Sequence, residues 1–271
     1  MCTRFYLEQE DTYIQSTIKA VQHSSLTVLM QKQLGKNVIT SGEVHPTDIA
    51  AVIASNKKGD RAVFPMIWGF TLPSQFYSSV ASSLHDQNGE NPKRKPKTRP
   101  GVLVNCRVET ASKKPLWKDS WSEHRCIIPA SYYYEWGPST SDQMIINTLS
   151  PAADRKPVPA ISSGNVVIPT VKNRKSDNRK MKYTIRPRVE NNAESNDSTY
   201  LAGLYRMENG FPHFAVLTRE PGESIRFIHD RMPVILRRDQ INDWINPYSN
   251  MQMVEVIVQT SLTDMDVMRS V

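Results

Sequence analysis

A cysteine at position two is the first residue of this chain whose type and place could do chemistry. Loss of Met1 would leave Cys2 with an α-amine and a thiol on neighbouring carbons. Their ordinary pKa values are about 7.7–8.0 and about 8.5, so both are partly deprotonated near neutral pH. Such an amine condenses with an aldehyde to an imine, and the thiolate then closes a five-membered ring. The same pair would also serve an N-terminal-nucleophile hydrolase.

Three further segments carry reactive side-chain types. In Val104-Asn105-Cys106-Arg107-Val108-Glu109-Thr110, strand alternation puts Asn105, Arg107 and Glu109 on one face and Cys106 on the apolar one. The alternative is a solvated strand face. In Tyr132-Tyr133-Tyr134-Glu135-Trp136, a carboxylate among aromatic rings suits an acid of raised pKa. The rings could also stack on bases, or simply form a core strand with one outward charge. In His229-Asp230-Arg231-Met232-Pro233, His229 can shuttle protons and Arg231 can grip a phosphate, or Asp230 can cap His229 at a helix end. His23, His45, His85, His124 and His213 have no metal-ligand spacing, and HExxH, P-loop and GxSxG motifs are absent. No metal and no cofactor are therefore expected.

The elements that must position these residues read as short strands with few helices. Thr3–Leu7, Leu26–Met30 and 61–72 are expected to be extended, and Asp48 to cap a short helix over Ile49–Ala54. Val102–Thr110 reads as a strand. Pro115–Cys126 reads as a helix with Leu116, Trp117, Trp121 and Cys126 on one face. Leu201–Arg206 and Phe211–Thr218 flank Asn209-Gly210, a hairpin signal. A short helix is expected over Glu223–Ile228, another from Asp239 through Trp244, and a last strand over Val254–Gln259. Without regular βαβ alternation, the fold class is α+β around an antiparallel, barrel-like core with a few short flanking helices.

Two stretches interrupt this pattern. Residues 75–100 end in five cations within Lys93–Arg99, and 137–199 hold six Pro, ten Lys/Arg and a single aromatic. Both read as polar insertions, largely disordered, within a single domain spanning 1–271. The 271 residues carry 34 Lys/Arg against 27 Asp/Glu, a formal +7, which makes nucleic acid a fair partner. A hydrophobic share of 39% supports a real core, and no stretch suits a membrane span. The N-terminus has no secretory signal, and three Cys without a CxxC fit a reducing, intracellular compartment.

Taken in order, Met1-Cys2, Pro46-Thr47-Asp48, Trp68-Gly69-Phe70, Asn105 to Thr110, Arg125 to Ala130, Tyr134-Glu135-Trp136 and His229 to Leu236 resemble the SOS-response-associated peptidase (SRAP) family. The resemblance implies capture of abasic sites in single-stranded DNA, with Cys2 closing the ring-opened sugar into a thiazolidine crosslink after autocatalytic loss of Met1. It assigns acid–base steps to Glu135 and His229 and positioning to Asn105. Arg107 and Arg231 would hold phosphates, Trp68 and Trp136 would shape the groove, and Pro46 and Thr218 would line it. It also implies a monomer without membrane contact, a lyase side activity, replication-fork proteins as partners and, from the insertions, a nuclear location. The departures are Tyr132 in place of the usual Gly, Cys106 in place of a small residue, and one extra residue between Trp68 and Pro73.

Overall fold

The computed structural model describes residues 2–72, 101–138, 180–188 and 198–270. Its strands, in chain order, are β1 (Phe5–Leu7), β2 (Gly42–Val44), β3 (Ile49–Ser55), β4 (Arg61–Trp68), β5 (Phe70–Thr71), β6 (Val102–Leu103), β7 (Asn105–Arg107) and β8 (Arg125–Ala130). They continue with β9 (Tyr132–Pro138), β10 (Lys180–Pro187), β11 (Thr199–Glu208), β12 (Phe211–Arg219), β13 (Met232–Pro233), β14 (Ile235–Leu236) and β15 (Met265–Arg269).

Five of these strands close a barrel: β3 pairs with β4 and β8, β8 with β11, β11 with β12, and β12 back to β4. All these pairings are antiparallel except β12 with β4, which is parallel, as is the added edge pairing of β12 with β7. A second sheet runs β15-β10-β9-β1-β2. The α+β, barrel-like architecture read from the sequence is thus the one observed.

Alternation along the barrel strands feeds two cores. Val52, Ala54 and Leu201 join a cluster with Phe5, Trp68, Tyr133 and Tyr183 toward the second sheet. Ile53 and Ala202 join Trp117, Trp121 and Trp244 under the helices. Because both faces of the barrel wall are covered, β3 is a continuous apolar run rather than an alternating one.

That is why the expected helix over Ile49–Ala54 is a strand. Asp48 caps no helix there; its carboxylate accepts the His45 N–H at 2.8 Å and closes a turn in which Thr47 has φ +76°. Conversely, two helices occupy a region read as extended. Asp11 accepts the Ile14 N–H at 3.0 Å and starts helix Thr12–Gln22, which buries Ile14, Ile18 and Val21 one turn apart. Ser24 caps Ser25–Leu34, which includes the Leu26–Met30 segment, and Gly35 ends it at φ +66°.

The expected strand Val254–Gln259 is likewise a helix, Met251–Gln259, capped by Asn250 and burying Val254 and Ile257 three residues apart. The last strand is instead β15. The strand expected over Val102–Thr110 breaks into β6 and β7 and turns helical at Val108–Ala111. The helix begun by Pro115 ends at Glu123, so Cys126 lies on β8. The hairpin at Asn209-Gly210 forms as expected, with both residues at positive φ and Glu208 opposite Phe211.

Strand β10 lies inside the stretch read as a disordered insertion. Its alternating Tyr183 and Ile185 are buried, and it pairs with β9 and β15. The rest of that stretch, apart from Arg188 and its ends at 137–138 and 198–199, lies outside the described residues, as do the 75–100 loop with its Lys93–Arg99 run and His85. No described helix is long and apolar enough to cross a membrane.

Arg125, which joined the Arg125-to-Ala130 motif only as a match, fastens the helices to the barrel. It is 1% exposed and donates to the carbonyls of Trp121, Ser122, Trp244 and Asn246 at 2.6–2.8 Å. Those carbonyls close helices Pro115–Glu123 and Ile241–Ile245, whose C-terminal dipoles favour a cation. Burial lowers the Arg125 pKa to about 10.

Candidate active site around Cys2

Cys2 precedes β1, which runs antiparallel to β9 with Phe5 opposite Tyr133. The Tyr134 N–H continues this ladder to the Arg4 carbonyl at 3.0 Å. The same register carries Thr3 alongside Glu135, so the segment entering β1 lies beside the Tyr-Glu-Trp strand. Cys2 is fully buried, and its Sγ lies 3.6 Å from the Arg4 carbonyl. Burial pushes its thiol well above the ordinary range, and the Glu135 charge pushes it further the same way.

Asn105 reaches this segment from β7, which β12 holds with Val216 opposite Asn105. Its Nδ2 donates to the Cys2 carbonyl at 2.8 Å. Its Oδ1 is buried without a hydrogen-bond partner among the described residues. Asn105 thus contacts the Cys2 backbone carbonyl directly, not the amine that the resemblance has it position. Glu135 is 4% exposed and lies on the face of β9 that turns toward Tyr183.

The loop carrying His229 packs against the same strand. A side chain at Gly137 would stand 2.9 Å from the Ile228 Cα, so only glycine lets this loop lie flat on β9 beside Glu135. His229 Nδ1 lies between the Arg231 backbone N, 3.0 Å away, and an Asp230 carboxylate oxygen, 2.7 Å away; unprotonated it accepts from the first, protonated it donates to the second. These contacts fix the ring orientation.

The expected DNA-contact residues divide. Arg107 is exposed, and Trp136 and Pro46 are partly so. Arg231, expected to hold a phosphate, is 7% exposed and forms a two-pronged ion pair with Glu109 at 2.8 Å, with a third bond to the Thr218 carbonyl. Burial opposes ionisation of Glu109, but the hydrogen bonds and charge of Arg231 outweigh it and hold the carboxyl below its ordinary range. Glu109, read on one face with Asn105 and Arg107, belongs instead to the Val108–Ala111 helix and serves Arg231.

Thr218 is fully buried, its hydroxyl bonded to the Cys106 carbonyl at 3.3 Å. Trp68 is also fully buried, stacked on Phe214 at 5.9 Å with its indole N–H on the Val104 carbonyl at 3.0 Å. Neither offers a surface to a strand. Trp68 shapes the site from beneath, by fixing the carbonyl that precedes Asn105. Cys106 is buried, as its inward position predicts.

Tyr133 was missed as a functional candidate. It is fully buried, and its hydroxyl has no hydrogen-bond partner among the described residues. Burial first, and then the charges of Cys2 and Glu135, push its pKa well up. Only its alternation with Glu135 along one strand could have signalled this. Among the described residues, no cluster of His, Cys, Asp and Glu could hold a metal.

A family model described as SOS response associated peptidase (SRAP) matches residues 1–271. The abasic site processing proteins YoaM and YobE of Bacillus subtilis are 29% and 27% identical to this chain over 150 residues, 54% of its length. The chain spans about half the length of these curated relatives, 48% and 49%. Among solved structures, a protein from Bacteroides thetaiotaomicron has a TM-score of 0.57 at 15% identity, covering 99% of this chain and 91% of its own. A phage-related protein from Bordetella bronchiseptica has a TM-score of 0.54 at 16% identity, covering 99% and 94%. These likenesses extend to the fold.

Proposed function

The chain belongs to the SOS response associated peptidase (SRAP) family, and from that premise we propose that it processes abasic sites in single-stranded DNA by covalent capture through Cys2. The relatives' names point to abasic-site processing. The observation that carries the reading is the convergence on Cys2 of residues from distant segments: Asn105 bonded to its carbonyl and Glu135 within electrostatic reach of its thiol.

In this reading, hydrolysis of the Met1–Cys2 amide frees the Cys2 amine. The amine attacks the aldehyde of the ring-opened deoxyribose and releases water, leaving an imine. The thiol then adds to the imine carbon. Its sulfur forms the new C–S bond while its proton passes by way of Glu135 to the ring nitrogen, giving a thiazolidine. A thiol kept protonated by burial needs such a neighbouring base. Asn105 holds the nucleophile's backbone while its second amide atom remains available to the sugar. His229 assists ring opening, and Arg107 and Trp136 meet the flanking strand from the exposed side. The protein acts as a monomer, and elimination from the imine would cut the strand as a side reaction.

The test is a denaturing gel of Met1-processed protein with a single-stranded oligonucleotide carrying one abasic site, beside Cys2→Ala, Glu135→Gln and an undamaged oligonucleotide. The expected result is a lesion-dependent, denaturant-resistant band that Cys2→Ala abolishes and Glu135→Gln slows. A band of equal intensity with Cys2→Ala, or no band although mass spectrometry finds Cys2 at the N-terminus, refutes the proposal.

A further inference from the structure

The outer face of the five-stranded sheet carries a side-chain pattern for which the chemistry at Cys2 has no use. Successive side chains alternate across a strand, so Tyr132, Tyr134 and Trp136 of β9 share one face, with Arg4 and Tyr6 alongside. Tyr6 and Tyr132 stack with their planes 5° apart and their centroids 4.9 Å apart. Tyr134 stands edge-on to Tyr132 at 5.4 Å, and Trp136 follows at 6.3 Å.

Cations sit between the rings. Arg4 lies 5.0 Å from the Trp136 ring centre, and the Lys182 ammonium 3.6 Å from that of Tyr134. Glu43 pairs with both cations. Register adds Lys180 and Arg186 of β10 to this face and, opposite Arg186, Asp266 of β15. Arg188 pairs with Asp266 and Glu8 lies near Tyr132, so five cations share this face with three carboxylates. Tyr6, Tyr132 and Trp136 are partly exposed, whereas Tyr134 is buried beneath Lys182 and backs the row.

We propose that this aromatic row is a stacking platform for single-stranded nucleic acid, extending the site at Cys2 along β9 to the Tyr6–Tyr132 pair. The inference rests on the function proposed above and adds a binding subsite to it. Trp136 follows Glu135 directly and Arg4 lies two residues from Cys2, so a strand leaving the site crosses Trp136 first, passes Lys182 over the buried Tyr134 ring, and reaches the tyrosine pair last. β10, β9 and β1 are interior strands whose ladder groups are already paired, which leaves recognition to side chains. A base stacks on a ring face without a hydrogen-bond register, and the surplus cations suit its phosphates. A phosphate beside Lys182 or Arg4 would take the place of Glu43.

The test compares the full chain with Tyr6→Ala/Tyr132→Ala, Tyr6→Leu/Tyr132→Leu and Tyr132→Phe. The probes are labelled single-stranded oligonucleotides of about four to about sixteen nucleotides, with the abasic site near one end or the other. Undamaged strands give affinity, and lesion-bearing ones give the rate of covalent capture. The expected result is tighter wild-type binding as the strand is extended on one side of the lesion, reduced at least about fivefold in both double variants. Tyr132→Phe keeps the gain, and the shortest lesion-bearing strand is captured at the wild-type rate by every variant. The leucine pair keeps apolar bulk without a ring, so it answers the question if the alanine pair fails to fold. No length gain in the wild-type chain, or an equal gain in the leucine pair, overturns the proposal. Absence of capture with the length gain intact refutes the proposed function and upholds the platform.

Discussion

Replacement of Asn105 by alanine separates holding the nucleophile from doing the chemistry. The side chain gives one neutral hydrogen bond, 2.8 Å from Nδ2 to the Cys2 carbonyl. Such a bond contributes about 0.5–1.5 kcal/mol net, and a buried carbonyl left without a donor raises the cost toward about 3 kcal/mol. At about 1.4 kcal/mol per factor of ten, the population with Cys2 correctly placed falls by about 2-fold to about 150-fold. The rate of capture should fall by the same factor in single-turnover experiments at saturating lesion-bearing strand, followed on denaturing gels. Asn105→Asp should be slower still, because a carboxylate then faces the carbonyl. Cys2→Ala should leave no capture. An Asn105→Ala protein that captures at the wild-type rate would show that the carbonyl contact does not place the nucleophile. One as inactive as Cys2→Ala would show that Asn105 does more than hold the strand.

Arg125→Met leaves four carbonyls at two helix ends without their donor and should cost about 3–5 kcal/mol. Calorimetry should find Tm lower by about 10 °C, and a loss below about 1 kcal/mol would mean that the clasp is dispensable. Tyr133→Phe removes a buried hydroxyl without a hydrogen-bond partner among the described residues, so Tm should hold or rise while capture slows several-fold; a marked drop in Tm would show that the hydroxyl has a structural role. Burial raises the thiol pKa of Cys2, of Cys106 (to about 12) and of Cys126, so the unfolded chain loses these protons first. Their contribution is therefore complete below about pH 8.5 and shrinks above it by about 1.4 kcal/mol per thiol per pH unit; a Tm that stays flat from pH 8 to about pH 10 would contradict this.

The site was more legible in the sequence than the elements that build it. Cys2, Asn105 and Glu135 stand out by residue type and order; Asn105 bonds to the Cys2 carbonyl, and the Glu135 charge raises the thiol pKa. What one dimension hides is direction. Arg231 carries the charge a phosphate needs, but it turns inward to Glu109, and nothing in His229-Asp230-Arg231 says so. Trp68 is an aromatic in a groove motif, yet Phe5 and Phe214 pack on it. Among the elements, Ile49–Ser55 is a short apolar run that periodicity cannot assign, and its two neighbours in the barrel decide it. Val254–Gln259 is rich in β-branched residues, but Asn250 caps it and one face is buried, which outweighs propensity. Asp11 and Ser24 are helix caps visible in the sequence, but the short apolar segments around them read equally as strands.

The closed barrel also dictates when this chemistry first exists. Closure joins Ile67 and Trp68 of β4 to His213 and Phe214 of β12 across almost 150 positions of chain, and Asn105 takes its place only on the edge of that same β12. Pairings so distant in sequence form slowly, on the order of milliseconds to seconds. A chain still being made holds Cys2 long before it holds β12, but with Met1 attached its amine is blocked, so the aminothiol of the proposed function is freed no earlier than the loss of Met1. On the proposed function, Asn105 meets Cys2 only once β12 is in place, so a variant that stalls before closure loses that contact together with its structure.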